Sequence, residues 1–438
     1  MQQSRKCLRF GVHGIRFPVP SSCPPLLRGL GFMIYAAYQA QADLMEPMRL
    51  MARLSRRMMD TGLNGFGDTP FLRTIAAGLE MVERAGLSHA RPAFAIEAVE
   101  VGNRPVPVFE EVSLKTPFGS LLHFRKDIDQ PQPRVLVVAP LSGHFATLLH
   151  GTVKTLLPDH DVYVTDWHNA RDVPRAAGPF GFDDYVEHII TFLEAIGEGA
   201  HVLAVCQPCV QVLAAAAVMA RDDNPAQPHS MTLMAGPVDT RINPTTVNEL
   251  AISKPLAWFE RNLIATVPAG FAGAGRRVYP GFVQVGAFMG MNLERHMKAH
   301  LDLYGHLAGG ETEKAQASKA FYDEYFAVLD LAAEFYLETI RIVFQEHDLP
   351  RGVLTYRGDT LDFRAIRRTA LLTVEGERDD ICAVGQTVAA QDICSSLRPH
   401  RKRHHMQAGV GHYGVFSGRR WQSQVYPLVR SHILMASD

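Results

Sequence analysis

The sequence predicts an α/β fold, a doubly wound and mostly parallel sheet with a helical insertion, on three observations. Continuous apolar runs at 135–139, 161–165, 201–205, 230–235 and 370–374 have the length and character of strands buried on both faces. Helical stretches at 182–196 and 209–220 alternate with them, which is how parallel strands are connected. The alternation stops between 245 and 365, a largely helical stretch with many aromatics and methionines, and resumes at 370. An insertion at that point is where a cap over an active site belongs.

Taken in order, residues 1–32 contain basic residues and prolines without the apolar core of a secretory signal, and are expected to be a disordered extension or a mis-assigned start, with Met33 as the beginning. From Met33 to about Leu87 apolar residues recur at helical spacing, broken at Gly65-Phe66-Gly67. Arg49, Arg53, Arg56 and Arg57 make the first of these helices amphipathic, suited either to packing on its own domain or to lying on a hydrophobic surface. Residues 89–107 read as a linker, and 108–114 and 120–124 as a hairpin turned by Thr116-Pro117-Phe118-Gly119. After the insertion come a helix around 387–397, a short strand around 404–407 and a last helix at 421–435. The expected division is thus 33–106 as helices and linker, 107–244 and 366–438 as the two parts of the core, and 245–365 as the cap.

With 438 residues, 47% of them hydrophobic and 20% charged, the chain is long enough to bury a full core. A formal net charge of -1 gives no footprint for nucleic acid. No run of about 18 apolar residues is present to span a bilayer. Six cysteines, Cys7, Cys23, Cys206, Cys209, Cys382 and Cys394, are too irregularly placed for a disulfide framework, which favours a cytoplasmic home. Cys206 and Cys209 form a CxxC, but no second one completes a zinc site and no thioredoxin-like flanks accompany it. No cofactor-binding or metal-binding residues are expected.

The chemistry centres on residues 200–220. A buried strand runs into Cys206, and after Gln207-Pro208 an alanine-rich helix begins. So short a link forces the turn residue outward above the sheet, as in the nucleophile elbow GxSxG. Here the five positions read Ala204-Val205-Cys206-Gln207-Pro208, with both glycines replaced. A cysteine there sits at the positive end of the helix dipole, although taken alone such a cysteine is more often a small buried core residue than a catalyst. After the strand at 370–374 come Glu375, Glu377, Asp379 and Asp380, and after the next strand His412 stands in the glycine-flanked loop 409–414. Nucleophile, acid and histidine in that order is the order of an α/β-hydrolase triad. Cys206 would attack an acyl carbonyl, His412 would carry the proton, and Asp379 would fix the imidazole. Asp380 and Asp239 remain alternatives for the acid, and His404 and His405 for the histidine. The oxyanion hole would combine the backbone amide of Gln207 with one from the loop Leu141-Ser142-Gly143.

Several stretches, MIYAAYQAQADLMEPM, DWHNARDVPRAAGPFGFDDYVEHI, AVCQPCVQVLAA, MAGPVDTRINPT, YPGFVQVGAFMGMN and GHYGVFSGRRW, resemble the intracellular polyhydroxyalkanoate (polyhydroxybutyrate) depolymerases from Met33 onward. The resemblance implies an α/β-hydrolase fold and a Cys, Asp, His triad at Cys206, Asp379 and His412. It also implies a storage polymer as substrate and a place on cytoplasmic granules. Because the intermediate would be a thioester, coenzyme A could replace water as the acyl acceptor. A synthase-like acyltransferase, a soluble-substrate esterase and an inactive granule-binding protein are the rival readings, and a homo-oligomer stays open.

Overall fold

The computed structural model describes residues 30–62, 69–291 and 293–437. The Gly65-Phe66-Gly67 break and most of the extension expected over 1–32 lie outside the described residues. Two helices come first, α1 (Leu30–Gly62) and α2 (Pro70–Arg84). The start of α2 is fixed by Thr69, whose side chain accepts from the Leu72 amide, and by Pro70 at the first helical position. Arg53 and Arg56 of α1 both pair with Glu83 of α2, so part of the basic face is turned to its own domain. Leu44, Met48, Met51 and Met58 of α1 remain exposed.

Next comes an antiparallel meander of β1 (Ala98–Val101), β2 (Arg104–Lys115) and β3 (Gly119–Lys126). The linker expected over 89–107 is therefore wrong from Ala98 onward. Gly102, at φ 60°, and Asn103 form a two-residue hairpin turn, with Val101 opposite Arg104. Pro105 and Pro107 disguised the strand. The Val108 amide donates to Glu97 at 2.9 Å, so alternate residues face β1 and the two prolines face away, ahead of the point where pairing with β3 begins at Val108.

The alternating part follows: β4 (Arg134–Val138), α3 (His150–Leu156), β5 (Asp161–Trp167), α4 (Phe182–Ile196), β6 (His201–Val205), α5 (Cys209–Arg221) and β7 (Ser230–Met234). Every residue of β6 and β7 is buried, which is why their sequences run apolar without alternation. Between β7 and the next core strand lie α6 (Thr246–Ser253), α7 (Leu256–Leu263), β8 (Ala265–Thr266), β9 (Arg277–Tyr279), α8 (Gly281–Met291), α9 (Leu293–Gly309), α10 (Thr312–Tyr325), β10 (Leu331–Ala332), α11 (Ala333–Thr339), β11 (Thr355–Tyr356) and β12 (Asp359–Thr360). The stretch is thus mainly helical, with a small sheet ordered β10-β9-β8 and a two-stranded ribbon of β11 and β12. The core closes with β13 (Ala370–Gly376), α12 (Ala390–Ile393), β14 (Lys402–Gln407), α13 (Gly418–Arg420) and α14 (Tyr426–Ser437).

The nine-stranded sheet has the order β1-β2-β3-β5-β4-β6-β7-β13-β14. It is parallel from β5 to β14 and antiparallel only at the meander edge, the doubly wound arrangement expected. One face packs against α4 and α5 through Phe192, Leu193 and Leu213; the other packs against α3 and the C-terminal helix through Val153, Trp421 and Val429. The helix expected over 387–397 is only α12, because the amides of Thr387 and Val388 are held by the Glu375 carboxylate and the Thr387 hydroxyl is bonded to Gly236. The consequence for the site is positional: β6, β7, β13 and β14 all end on the same side.

Candidate active site

Cys206 follows the last residue of β6 and has φ 67°, a left-handed conformation that non-glycine residues adopt only when the surroundings impose it. Two hydrogen bonds impose it here: the Cys206 amide donates to Met234 at 2.7 Å, and its carbonyl accepts from the Cys209 amide at 3.2 Å. The chain thereby leaves β6, turns, and enters α5 behind Pro208. The absent glycines are explained by packing. Ala204 is fully buried and fits, and the close approach is supplied by the neighbouring strand, where Gly236 follows β7. A methyl on Gly236 would lie 2.2 Å from the Cys209 sulfur and 3.0 Å from the Cys206 carbonyl. Gly236→Ala should therefore destabilise the protein by about 3 kcal/mol, read as a lower thermal midpoint, since neither neighbour can retreat from the core.

Asp379 lies beyond β13 and is buried with its carboxylate fully engaged. Oδ1 accepts from the amides of Ile381 at 2.9 Å and Cys382 at 2.8 Å, while Oδ2 accepts from His412 Nδ1 at 2.8 Å. The two loops are also joined through their backbones, the Arg378 amide donating to Val410 at 2.8 Å. With Nδ1 committed to Asp379, the imidazole of His412 also interacts with the Cys206 side chain. Burial alone would lower the pKa of His412. The charge of Cys206, that of Asp379 and the hydrogen bonds to both outweigh it and hold the imidazole well above its usual range.

Of the alternatives, Asp239, His404 and His405 are occupied elsewhere. Asp239 grips Arg241 through both oxygens, at 2.8 Å each. Glu375 is completely buried and accepts from the amides of Gly385, Thr387 and Val388, a structural carboxylate that shapes the loop beside Asp379. His404 bonds Thr373 and His405 bonds Gln407. Cys209 points its thiol back towards Ala204 and Met234, and burial pushes its pKa far up, so the CxxC does not present two thiols to one ligand.

The loop after β4 reaches the same place. Its Leu141 amide donates to the Gln207 side chain, Oε1, at 3.3 Å, which brings Leu141 beside the residue that follows Cys206. The loop is pinned on both sides. The Ala139 carbonyl accepts from Trp167 and from Tyr185, each at 2.9 Å, and the Gly143 carbonyl accepts from the Leu329 amide at 2.9 Å. His144 is buried against Phe288 and Tyr325 and bonds the Tyr325 carbonyl, and burial lowers its pKa to about 4. The inserted segment thus holds the loop directly. Tyr413, beside His412, lies edge-on to Phe321 of α10, so aromatic side chains border the histidine.

Residues 235–437 match the family model described as PHB de-polymerase C-terminus. The matched residues make up the C-terminal part of the chain. The matched stretch begins just after β7 and holds the inserted segment, Asp379 and His412, while Cys206 precedes it. No curated protein matches the chain. Among solved structures, the chain is similar to a hydrolase from Pseudomonas aeruginosa PA01 at 14% identity and TM-score 0.42, covering 77% of this chain and 99% of that one. It is similar to 2-hydroxy-6-oxo-6-phenylhexa-2,4-dienoate hydrolase from a Rhodococcus strain at 12% identity and TM-score 0.40, covering 75% and 99%. A carboxylesterase structure from the thaumarchaeon Nitrososphaera gargenis gives 12% identity and TM-score 0.39, covering 76% and 99%. The PHB de-polymerase match supports ester hydrolysis as the reaction class. Among the described residues no helix is long and apolar enough to cross a membrane.

Two features escaped the sequence reading. The side chain of Gln207, as distinct from its backbone amide, contacts the loop after β4; its position next to Cys206 was the available signal. Asp330 lies completely buried, bonded to the Tyr35 hydroxyl at 2.6 Å and the Gly281 amide at 2.9 Å, and ties α1 to the inserted segment. Nothing in the sequence around Asp330 announces so distant a partner as Tyr35.

Proposed function

We propose that the chain is an intracellular depolymerase that cleaves ester bonds of poly(3-hydroxybutyrate)-type storage polymer through Cys206, His412 and Asp379. The observation that carries this reading is the elbow: a cysteine at φ 67° above the sheet, within reach of a histidine already bonded to a buried aspartate. Beside the family match, that combination has an acyl-transfer use and no packing use.

The Cys206 sulfur attacks the ester carbonyl carbon, and its electron pair moves onto the carbonyl oxygen. The backbone amide of Gln207 and one from Leu141 or Ser142 receive the oxyanion. As the tetrahedral adduct collapses, the imidazolium of His412 gives its proton to the departing alkoxide, which leaves as the hydroxyl end of the shortened polymer. A 3-hydroxyacyl thioester remains on Cys206. His412, now neutral, takes a proton from the incoming acceptor, and a second collapse releases the acid and restores the thiol. Water is the simplest acceptor. The thiol of coenzyme A is chemically equivalent at this step, because exchanging one thioester for another is nearly balanced.

Phe288, Phe321 and Tyr325 of the inserted segment, clustered with Tyr413 beside His412, offer an apolar approach for a polyester chain end. The test supplies amorphous granules to the protein, with and without coenzyme A. Release of free 3-hydroxybutyrate is expected in the first tube, and 3-hydroxybutyryl-coenzyme A in the second if thiolysis competes. Free acid alone in both tubes removes the coenzyme A route; no release in either overturns the depolymerase reading in favour of a synthase-like or inactive granule-binding protein.

A further inference from the structure

The carboxamide of Gln207 occupies a group that the proposed mechanism needs free. Its Oε1 accepts from the Leu141 amide at 3.3 Å, and that amide is one of the donors proposed for the oxyanion. Its Nε2 is buried and has no partner among the described residues. A neutral carbonyl oxygen accepting from Leu141, at the residue that follows the nucleophile, resembles what a bound ester carbonyl would present. Loop support is an unconvincing role for this contact, since other bonds fix the loop. Besides the two donors to its carbonyl, Ala139 has its amide bonded to Thr165 at 2.9 Å, and Gly143 and His144 are bonded to the inserted segment. Removing the Gln207 side chain leaves all of these in place.

We infer that the Gln207 side chain is a displaceable plug, occupying the Leu141 donor in the free protein and yielding it when an acyl group enters. This rests on the Cys206 reading of the site. Turning the carboxamide aside exchanges one modest hydrogen bond for another of the same kind, so the plug acts on productive binding rather than on the chemical step. It makes Gln207 a positioning residue: it sets the occupancy of the hole without joining the reaction through its side chain. An unoccupied pair of amides above a reactive thiol would otherwise be open to any small carbonyl compound, and a plug of moderate strength selects for substrates whose remaining contacts can displace it.

The experiment compares wild type, Gln207→Ala, Gln207→Met and Gln207→Glu on a soluble 3-hydroxybutyryl ester, with Cys206→Ala as the reference. Loss of the hole's competitor should lower KM and raise kcat/KM by about threefold to tenfold in the alanine variant, with kcat nearly unchanged. Methionine keeps the bulk and lacks the acceptor, so it should follow alanine, and it decides the matter if the alanine variant does not fold. Glutamate keeps an acceptor on Leu141 and adds a negative charge beside the forming oxyanion, so kcat/KM should fall at least about 100-fold. Unchanged kinetics, or a fall of kcat in both the alanine and methionine variants, overturns the plug while leaving the triad standing. Activity that survives Cys206→Ala overturns the triad reading and the plug with it.

Discussion

Cys206→Ala should reduce release of 3-hydroxybutyrate from amorphous granules by at least about 1,000-fold, with the protein still folded and still sedimenting with the granules. The size of the effect follows from the covalent route: without the sulfur there is no thioester, and what remains is whatever the oxyanion amides and binding do for direct attack by water. No other cysteine in the described core can substitute. Cys209 faces the backbone under the elbow, and Cys382 and Cys394 are buried. Removing one sulfur atom from a half-buried turn position leaves the bonds to Met234 and from Cys209 intact, so a lower thermal midpoint is not expected to accompany the loss. A residual rate within tenfold of wild type would place the nucleophile elsewhere.

Asp379→Asn should cost nearly as much, about 1,000- to 10,000-fold in kcat, for a reason visible in the hydrogen bonds. The Ile381 and Cys382 amides point at Oδ1 and require an acceptor there, so an asparagine must place its oxygen on that side. Its amide nitrogen then faces His412 Nδ1. Two donors cannot share that bond, and the imidazole must move its proton to the nitrogen facing Cys206, which is the wrong tautomer for receiving one. The same change removes one of the two neighbours that raise the pKa of His412. Asp239→Asn is the matched control, because the Asp239 carboxylate serves Arg241 and should leave kcat within about threefold. Equal losses in the two variants would contradict the assignment of the acid.

Much of this was legible in the chain. Core strands buried on both faces betray themselves as uninterrupted apolar runs, which is why β4, β6, β7 and β13 could be read, and the order Cys206, Asp379, His412 followed from where each stands after a strand. What stayed hidden depends on partners distant in sequence. The prolines of β2 argue against a strand unless the unpaired side is known. Glu375 and Asp379 stand close together in an acid-rich run, and only the loop amides decide that one is a scaffold and the other faces the histidine. Gly236 replaces the closeness that the elbow's own glycines usually provide, an exchange between adjacent strands that no local motif records. Gln207 was read for its backbone amide alone, since a side-chain contact to a loop 66 positions earlier leaves no spacing to recognise.

The most direct measurement is to trap the acyl-enzyme. The protein is mixed with a soluble 3-hydroxybutyryl ester, quenched in acid within one turnover, digested, and the peptides are weighed by mass spectrometry. A 3-hydroxybutyryl group on the peptide containing Cys206, released by neutral hydroxylamine as a thioester is and absent from Cys206→Ala, is the predicted result. An adduct on another residue, or product formed in that turnover with Cys206 never acylated, would contradict the account.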